Sequence, residues 1–167
     1  MIVEEDDYSN PQQFYHKLKP RHRYELVEEL FGNFKLKFNY LFEDPQEGYF
    51  AEKGFVSDFL AHLYCRIFIP GQDIIKKGED FPEIYLIYKG TVTISGGMKK
   101  KGNIYNEDQH FLVLPTNSYF GEFQILMDLN SLWTYKSSQG DETYCMCLSK
   151  KDFLSFLKEY VNANTFF

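Results

Sequence analysis

The chain has 167 residues, room for one globular domain and a small appendage, and with 44% apolar residues it can bury a core without disulfide or metal staples. Its 24 acidic residues outnumber 18 basic ones for a formal charge of −6, and no long basic block occurs, which argues against a broad nucleic-acid-binding face. The acidic segment 1–7 has no apolar signal core, and no apolar run is long enough to cross a bilayer, so the chain reads as soluble and cytosolic, or as the cytosolic piece of a larger membrane protein.

In chain order, residues 1–12 are acidic and polar, end in Asn10 and Pro11, and are expected to be disordered. Residues 14–42 carry a helical pattern. Tyr24, Val27, Leu30 and Phe31 recur at spacings of three and four, Pro20 separates off a shorter helix, and Gly32 is a natural stop. A second helix is predicted over 51–63, with Phe55, Phe59 and Leu63 on one face. At Tyr64 the texture changes to short strands over 64–69, 74–75, 84–88, 91–95 and 111–114. Gly71, Gly78, Gly90, Gly96, Gly97 and Pro115 punctuate them, the pattern of a sandwich or small barrel.

The polar stretch 96–109, with Lys99, Lys100 and Lys101, reads as a solvated hairpin tip. Residues 119–127 suit a turn and a short helix, 128–142 a second long polar loop, and 143–148 a last strand. Ser149 and Asp152 stand at capping-box spacing, and Leu148 and Phe153 can form a hydrophobic staple. They open a helix whose apolar face is Phe153, Phe156, Leu157 and Tyr160. The predicted fold is α+β, mainly β: an antiparallel, jelly-roll-like β-roll with N-terminal helices and a closing C-terminal helix. The expected divisions are a tail at 1–12, a helical linker segment at 13–41, and the roll with its flanking helices at 42–167.

Nothing points to an enzyme. His16, His22, His62 and His110 are scattered through different elements, and no nucleophile comes with a partner pattern. Cys65, Cys145 and Cys147 are odd in number, lack framework spacing, and read as reduced, buried thiols rather than metal ligands. The informative segment is Tyr119, Phe120, Gly121 and Glu122, between a strand and a short apolar stretch. A glycine there lets the backbone turn sharply and approach a ligand closely. Amide groups beyond it can seat a phosphate, and a glutamate can accept a hydroxyl beside it. Alone, the segment could equally be a tight turn with an acid near a helix start.

Pro70 and Gly71 followed by Gly78, then Ile84 to Gly90, then Phe120, Gly121 and Glu122, together resemble the cyclic-nucleotide-binding domain family over residues 38–160. A narrower resemblance is to the cytosolic domain of cyclic-nucleotide-gated, hyperpolarisation-activated and voltage-gated potassium channels. There Phe14, Tyr15, His16, Lys17 and Leu18 match the end of the linker after the pore, Phe42 onward the helix entering the roll, and Thr143, Tyr144, Cys145, Leu148 and Ser149 the last strand and next helix start. The resemblance implies that Phe120, Gly121 and Glu122 begin a phosphate-binding cassette, with Glu122 accepting the ribose 2′-hydroxyl. It implies that Ile94, Leu112 and Leu114 line the base side, positions that ordinary core packing would also suit.

The chain departs from the family pattern at the cation that pairs the phosphate. Tight binders carry an Arg about nine residues after the glutamate. Counting without gaps puts Ser131 there; allowing for a longer loop and anchoring on Thr143, Tyr144 and Cys145 puts Tyr135 there, with Lys136 the nearest cation. Losing a charge-assisted bond to an anion costs roughly 1.5–3 kcal/mol, about tenfold to over a hundredfold in affinity. Lys136 could replace it as a point charge without the planar fork of Arg. The candidate ligand is cAMP or cGMP, with no cofactor, metal or catalytic residue. The expected partners are other channel subunits or the rest of the same channel, on the cytoplasmic side, and not nucleic acid. Two roles follow: a cyclic-nucleotide sensor, or a homologue without ligand that serves as a subunit-interaction or gating module. The alternatives are a kinase regulatory domain, which would usually show two tandem rolls, and a stand-alone interaction module. The segment 162–167 matches at most the first turn of the family's lid helix.

Overall fold

The computed structural model describes Tyr15 and residues 17–42, 53–96 and 110–160, so the expectations for 1–12, for most of 96–109 and for 162–167 lie outside the described residues. The chain divides into two compact units, residues 1–62 with 156–166, and residues 63–155 with Phe167.

In the first unit, helix α1 (Pro20–Lys37) starts with its proline in the first turn, where a missing N–H costs nothing. The predicted stop at Gly32 is not used. Gly32 sits inside the helix with open space around its Cα, and the chain stays helical because Phe34 and Phe38 beyond it are buried and stack at 4.7 Å. Burying two rings outweighs the roughly 1 kcal/mol a helical glycine costs. The buried stripe is accordingly Val27, Phe34 and Phe38, while Leu30 from the predicted face is 66% exposed. A 3-10 turn (Asn39–Leu41) follows. Helix α2 (Lys53–Ala61) buries Phe55 and Phe59 as predicted, with Phe59 edge-on to Phe42 at 5.4 Å. Its Asp58 carboxylate accepts the Tyr15 hydroxyl at 2.8 Å on one oxygen and the Tyr160 hydroxyl at 2.5 Å on the other.

The second unit holds the strands β1 (Tyr64–Phe68), β2 (Asp73–Ile75), β3 (Glu83–Lys89), β4 (Val92–Ser95), β5 (His110–Leu114), β6 (Tyr119–Phe120), β7 (Thr134–Ser137) and β8 (Thr143–Ser149). They form two four-stranded sheets, ordered β1-β8-β3-β6 and β2-β7-β4-β5, with every described pairing antiparallel. This is the predicted β-roll. The short helix α3 (Glu122–Leu126) follows β6, and α4 (Lys150–Glu159) follows β8. Ser149 starts α4 as expected: its hydroxyl oxygen accepts the Asp152 N–H at 3.0 Å and the hydroxyl donates to the Asp152 carboxylate at 2.7 Å. Gly71, Gly78, Gly90 and Gly121 all have positive φ, as turns that need glycine do.

One correction concerns the predicted loop 128–142, which contains β7. That strand pairs with β2 on one side and β4 on the other. Its sequence, Thr-Tyr-Lys-Ser, offers no apolar run, yet Tyr135 and Ser137 are both buried. Ser137 can sit in the interior because its hydroxyl donates to the Ile69 carbonyl at 2.5 Å and accepts the Gln72 N–H at 2.9 Å. A second correction concerns the thiols: Cys65, on the edge strand β1, is exposed. Cys145 and Cys147 are buried in β8; burial pushes the Cys145 thiol up to about 12 and raises that of Cys147 as well, so both are protonated and inert near neutral pH.

Candidate functional site

The site is built around Gly121. Strand β6 pairs with β3 through Phe120 opposite Tyr85 and Tyr119 opposite Leu86, and the chain then turns through Gly121 at φ 104° and ψ −21° into α3. A Cβ at this position would lie 2.9 Å from the Glu83 carbonyl oxygen and 3.0 Å from the Phe81 ring. Both the torsion and the close approach require glycine. The bend delivers Phe120 into the roll, where it stacks on Tyr85 at 4.9 Å and on Tyr135 at 4.8 Å, the planes 11° and 10° apart. Phe81 closes the cluster edge-on to Tyr135 at 5.4 Å. Tyr85 and Phe81 complete this buried cluster, and sequence reasoning named neither. In the sequence both look like generic core; the register places Tyr85 opposite Phe120, and ring packing adds Phe81.

Glu122 is part-buried, and its Oε2 is shielded from solvent with no hydrogen-bond partner. Burial raises its pKa above the ordinary carboxylate value, and the backbone N–H groups of Glu122 and Phe123 offset part of the rise. Tyr135 is 5% exposed. Its hydroxyl is pushed up by burial and then by the Glu122 carboxylate, with the Gln124 side chain acting in the opposite sense. Glu122, Gln124 and Tyr135 therefore share one neighbourhood, held by α3 and β7.

The structure separates the candidates for the cationic position. Tyr135 points inward into the aromatic stack. Strand alternation turns Lys136 to the opposite face, where its Nζ is 3.4 Å from Asp73 Oδ1 of β2. Ser131 is buried in the connection before β7, its N–H donating to the Glu79 carbonyl at 2.8 Å and its carbonyl accepting the Gly78 N–H at 2.7 Å. It fastens two turns together and offers no charge.

Of the residues expected on the base side, Ile94 of β4 is opposite Leu112 of β5 and also opposite Tyr135 of β7. Directly opposed residues in antiparallel strands share a face, so Leu112, Ile94 and Tyr135 form one row. Leu114, Val92 and Ser137 form the next row along. Ile94 and Tyr135 are buried, Leu114 is half-buried and Leu112 is 49% exposed. This face is covered at β7 and β4 and open at the edge strand β5: an apolar wall running from solvent to the aromatic stack.

The second unit is thus a β-roll of two antiparallel sheets that carries a glycine-bent turn with a part-buried carboxylate. No family model matches the chain. Over 117 residues, 68% of its length, it is 29% identical to the cyclic nucleotide-gated channel alpha-3 of Homo sapiens. It is likewise 29% identical to the cyclic nucleotide-gated channel cone photoreceptor subunit alpha of Gallus gallus. The chain spans 16% and 15% of the length of these two curated relatives. In fold it is similar to the regulatory domain of Toxoplasma gondii PKA, solved with cAMP, at a TM-score of 0.62 and 13% identity, covering 84% of this chain and 49% of that one. The chain is thus similar in sequence to cyclic nucleotide-gated channel subunits and in fold to a regulatory domain solved with cAMP. Among the described residues, no helix is long and apolar enough to cross a membrane.

Proposed function

We propose that the chain is the cytoplasmic regulatory domain of an ion channel subunit, and that it takes a ribose-bearing ligand at Gly121 and Glu122 with weak affinity for cAMP or cGMP. The observation that carries the weak-affinity part is Tyr135. With Ser131 it is one of the two positions the resemblance offers for the phosphate-pairing Arg, and it is buried and stacked on Phe120, while Lys136 is turned away to Asp73. Without that charge-assisted bond a cyclic phosphate binds about tenfold to over a hundredfold more weakly. The channel context is supported by the sequence likeness to channel subunits, and the partners are then the rest of the channel and its other subunits. A ligand acts on such a domain only through a difference in affinity between two arrangements of its elements.

The second reading, a homology domain with no ligand, is favoured by the aromatic stack itself, since the neutral Tyr135 ring is buried against Phe120 and neither it nor Ser131 can supply a cation. Calorimetry with cAMP and cGMP up to millimolar concentration separates the two. Weak binding that vanishes in a folded Glu122→Ala variant supports a sensor. Absence of heat with every ribose-bearing ligand, from a chain whose melting curve shows it folded, overturns the sensor and leaves the interaction module.

A further inference from the structure

We infer that the Glu122 site selects an uncharged nucleoside over the corresponding cyclic nucleotide. The inference rests on the reading of this site as ribose-binding and concerns the charge of the ligand it accepts.

Four observations converge on it. Among the described residues Glu122 has no ion-pair partner, and its Oε2 is buried without a hydrogen-bond partner, so the site presents an acceptor lacking a donor. The groups beside that carboxylate, Gln124 and Tyr135, are neutral. Lys136, the cation adjacent to Tyr135, is on the far face of β7 and paired with Asp73. The wall of Ile94, Leu112 and Leu114 is apolar and open at its edge, suited to a flat base.

A cyclic phosphate bound here would put a fixed negative charge near a part-buried carboxylate, with no cation among the described residues shown between them. One of the two anions would then have to be desolvated unpaired. A nucleoside brings the same base and the same 2′-hydroxyl without that charge. It also frees the 3′ and 5′ oxygens that the cyclic ester ties up. The vicinal 2′- and 3′-hydroxyls can both donate to one carboxylate, meeting the orphaned Oε2, and the 5′-hydroxyl suits neutral partners such as the Tyr135 hydroxyl or the Gln124 amide.

The test is a calorimetric series on the whole chain with adenosine, guanosine, 2′-deoxyadenosine, cAMP and cGMP, repeated at low and high salt. The expected result is that each nucleoside binds at least about tenfold more tightly than its own cyclic phosphate. Its affinity should be indifferent to salt, and removal of the 2′-hydroxyl should weaken it by about tenfold. The deoxy ligand probes the carboxylate without altering the protein, so the outcome does not depend on a variant folding. A cyclic nucleotide that binds as tightly as its nucleoside, or more tightly, overturns the inference while leaving the ribose-site reading standing. Failure of all five ligands to bind the folded chain overturns that reading and the inference with it.

Discussion

At the scale of single residues, two glycines show how the same residue type carries opposite consequences. Gly121 combines a positive φ with carbonyl and ring contacts that a Cβ would violate, whereas Gly32 lies in α1 with nothing near it. Gly121→Ala is expected to destabilise the domain by about 2 kcal/mol, and Gly32→Ala to stabilise it by up to about 1 kcal/mol; urea titrations of both variants measure this. Glu122 makes a third case. Its folded pKa is raised by burial, so between the unfolded and folded values the native state binds more protons than the unfolded chain, and stability falls as pH rises through that window. The penalty is fully present above the folded pKa. Glu122→Gln should therefore raise stability at neutral pH by about 1 kcal/mol, with a gain that shrinks on acidification. A melting series from pH 4 to pH 8 showing no such convergence would mean that the carboxylate is solvated.

At the scale of elements, the Asp58 carboxylate joins Tyr15 and Tyr160 to α2, a connection no spacing rule announces because its members lie far apart in the chain. Gly54 allows it: a Cβ there would meet the Tyr160 ring at 3.0 Å. Tyr160→Phe removes a hydrogen bond to a charged acceptor and is expected to cost about 1–2 kcal/mol, read as faster amide exchange in the last turn of α4. Burial, ahead of its hydrogen bonds, pushes the Tyr15 hydroxyl up to about 12. The contribution of its neutral form is thus intact below the ordinary tyrosine value and lost as pH climbs from about 10 towards the folded value, a loss that Tyr15→Phe should abolish. The elements also show where pattern reading works. Pro20 and Ser149 mark the two longest described helices at their starts because each acts on its own first turn. Strand β7 was illegible because its stability comes from neighbours on both sides and from a satisfied serine, not from an apolar run.

At the scale of the whole molecule, a ligand that binds only the folded chain raises its melting temperature by mass action, by about 1.4 kcal/mol of stability at ten times Kd. The nucleoside and cyclic-nucleotide series should therefore rank identically in melting curves and in calorimetry, and a ligand that gives heat without a shift is binding elsewhere or to the unfolded chain. The sequence by itself determined the α+β character, the glycine turns, the bend at Gly121 between Phe120 and Glu122, and the cap of the closing helix, because each of these is a constraint that a few adjacent residues impose on their own backbone. Only the tertiary structure decided that Tyr135 faces into the roll while Lys136 faces away, that Leu112 stays open beside buried Ile94, and that a polar tetrapeptide is an interior strand. Those outcomes depend on register between strands distant in the chain, and a shift of one residue would exchange the two faces.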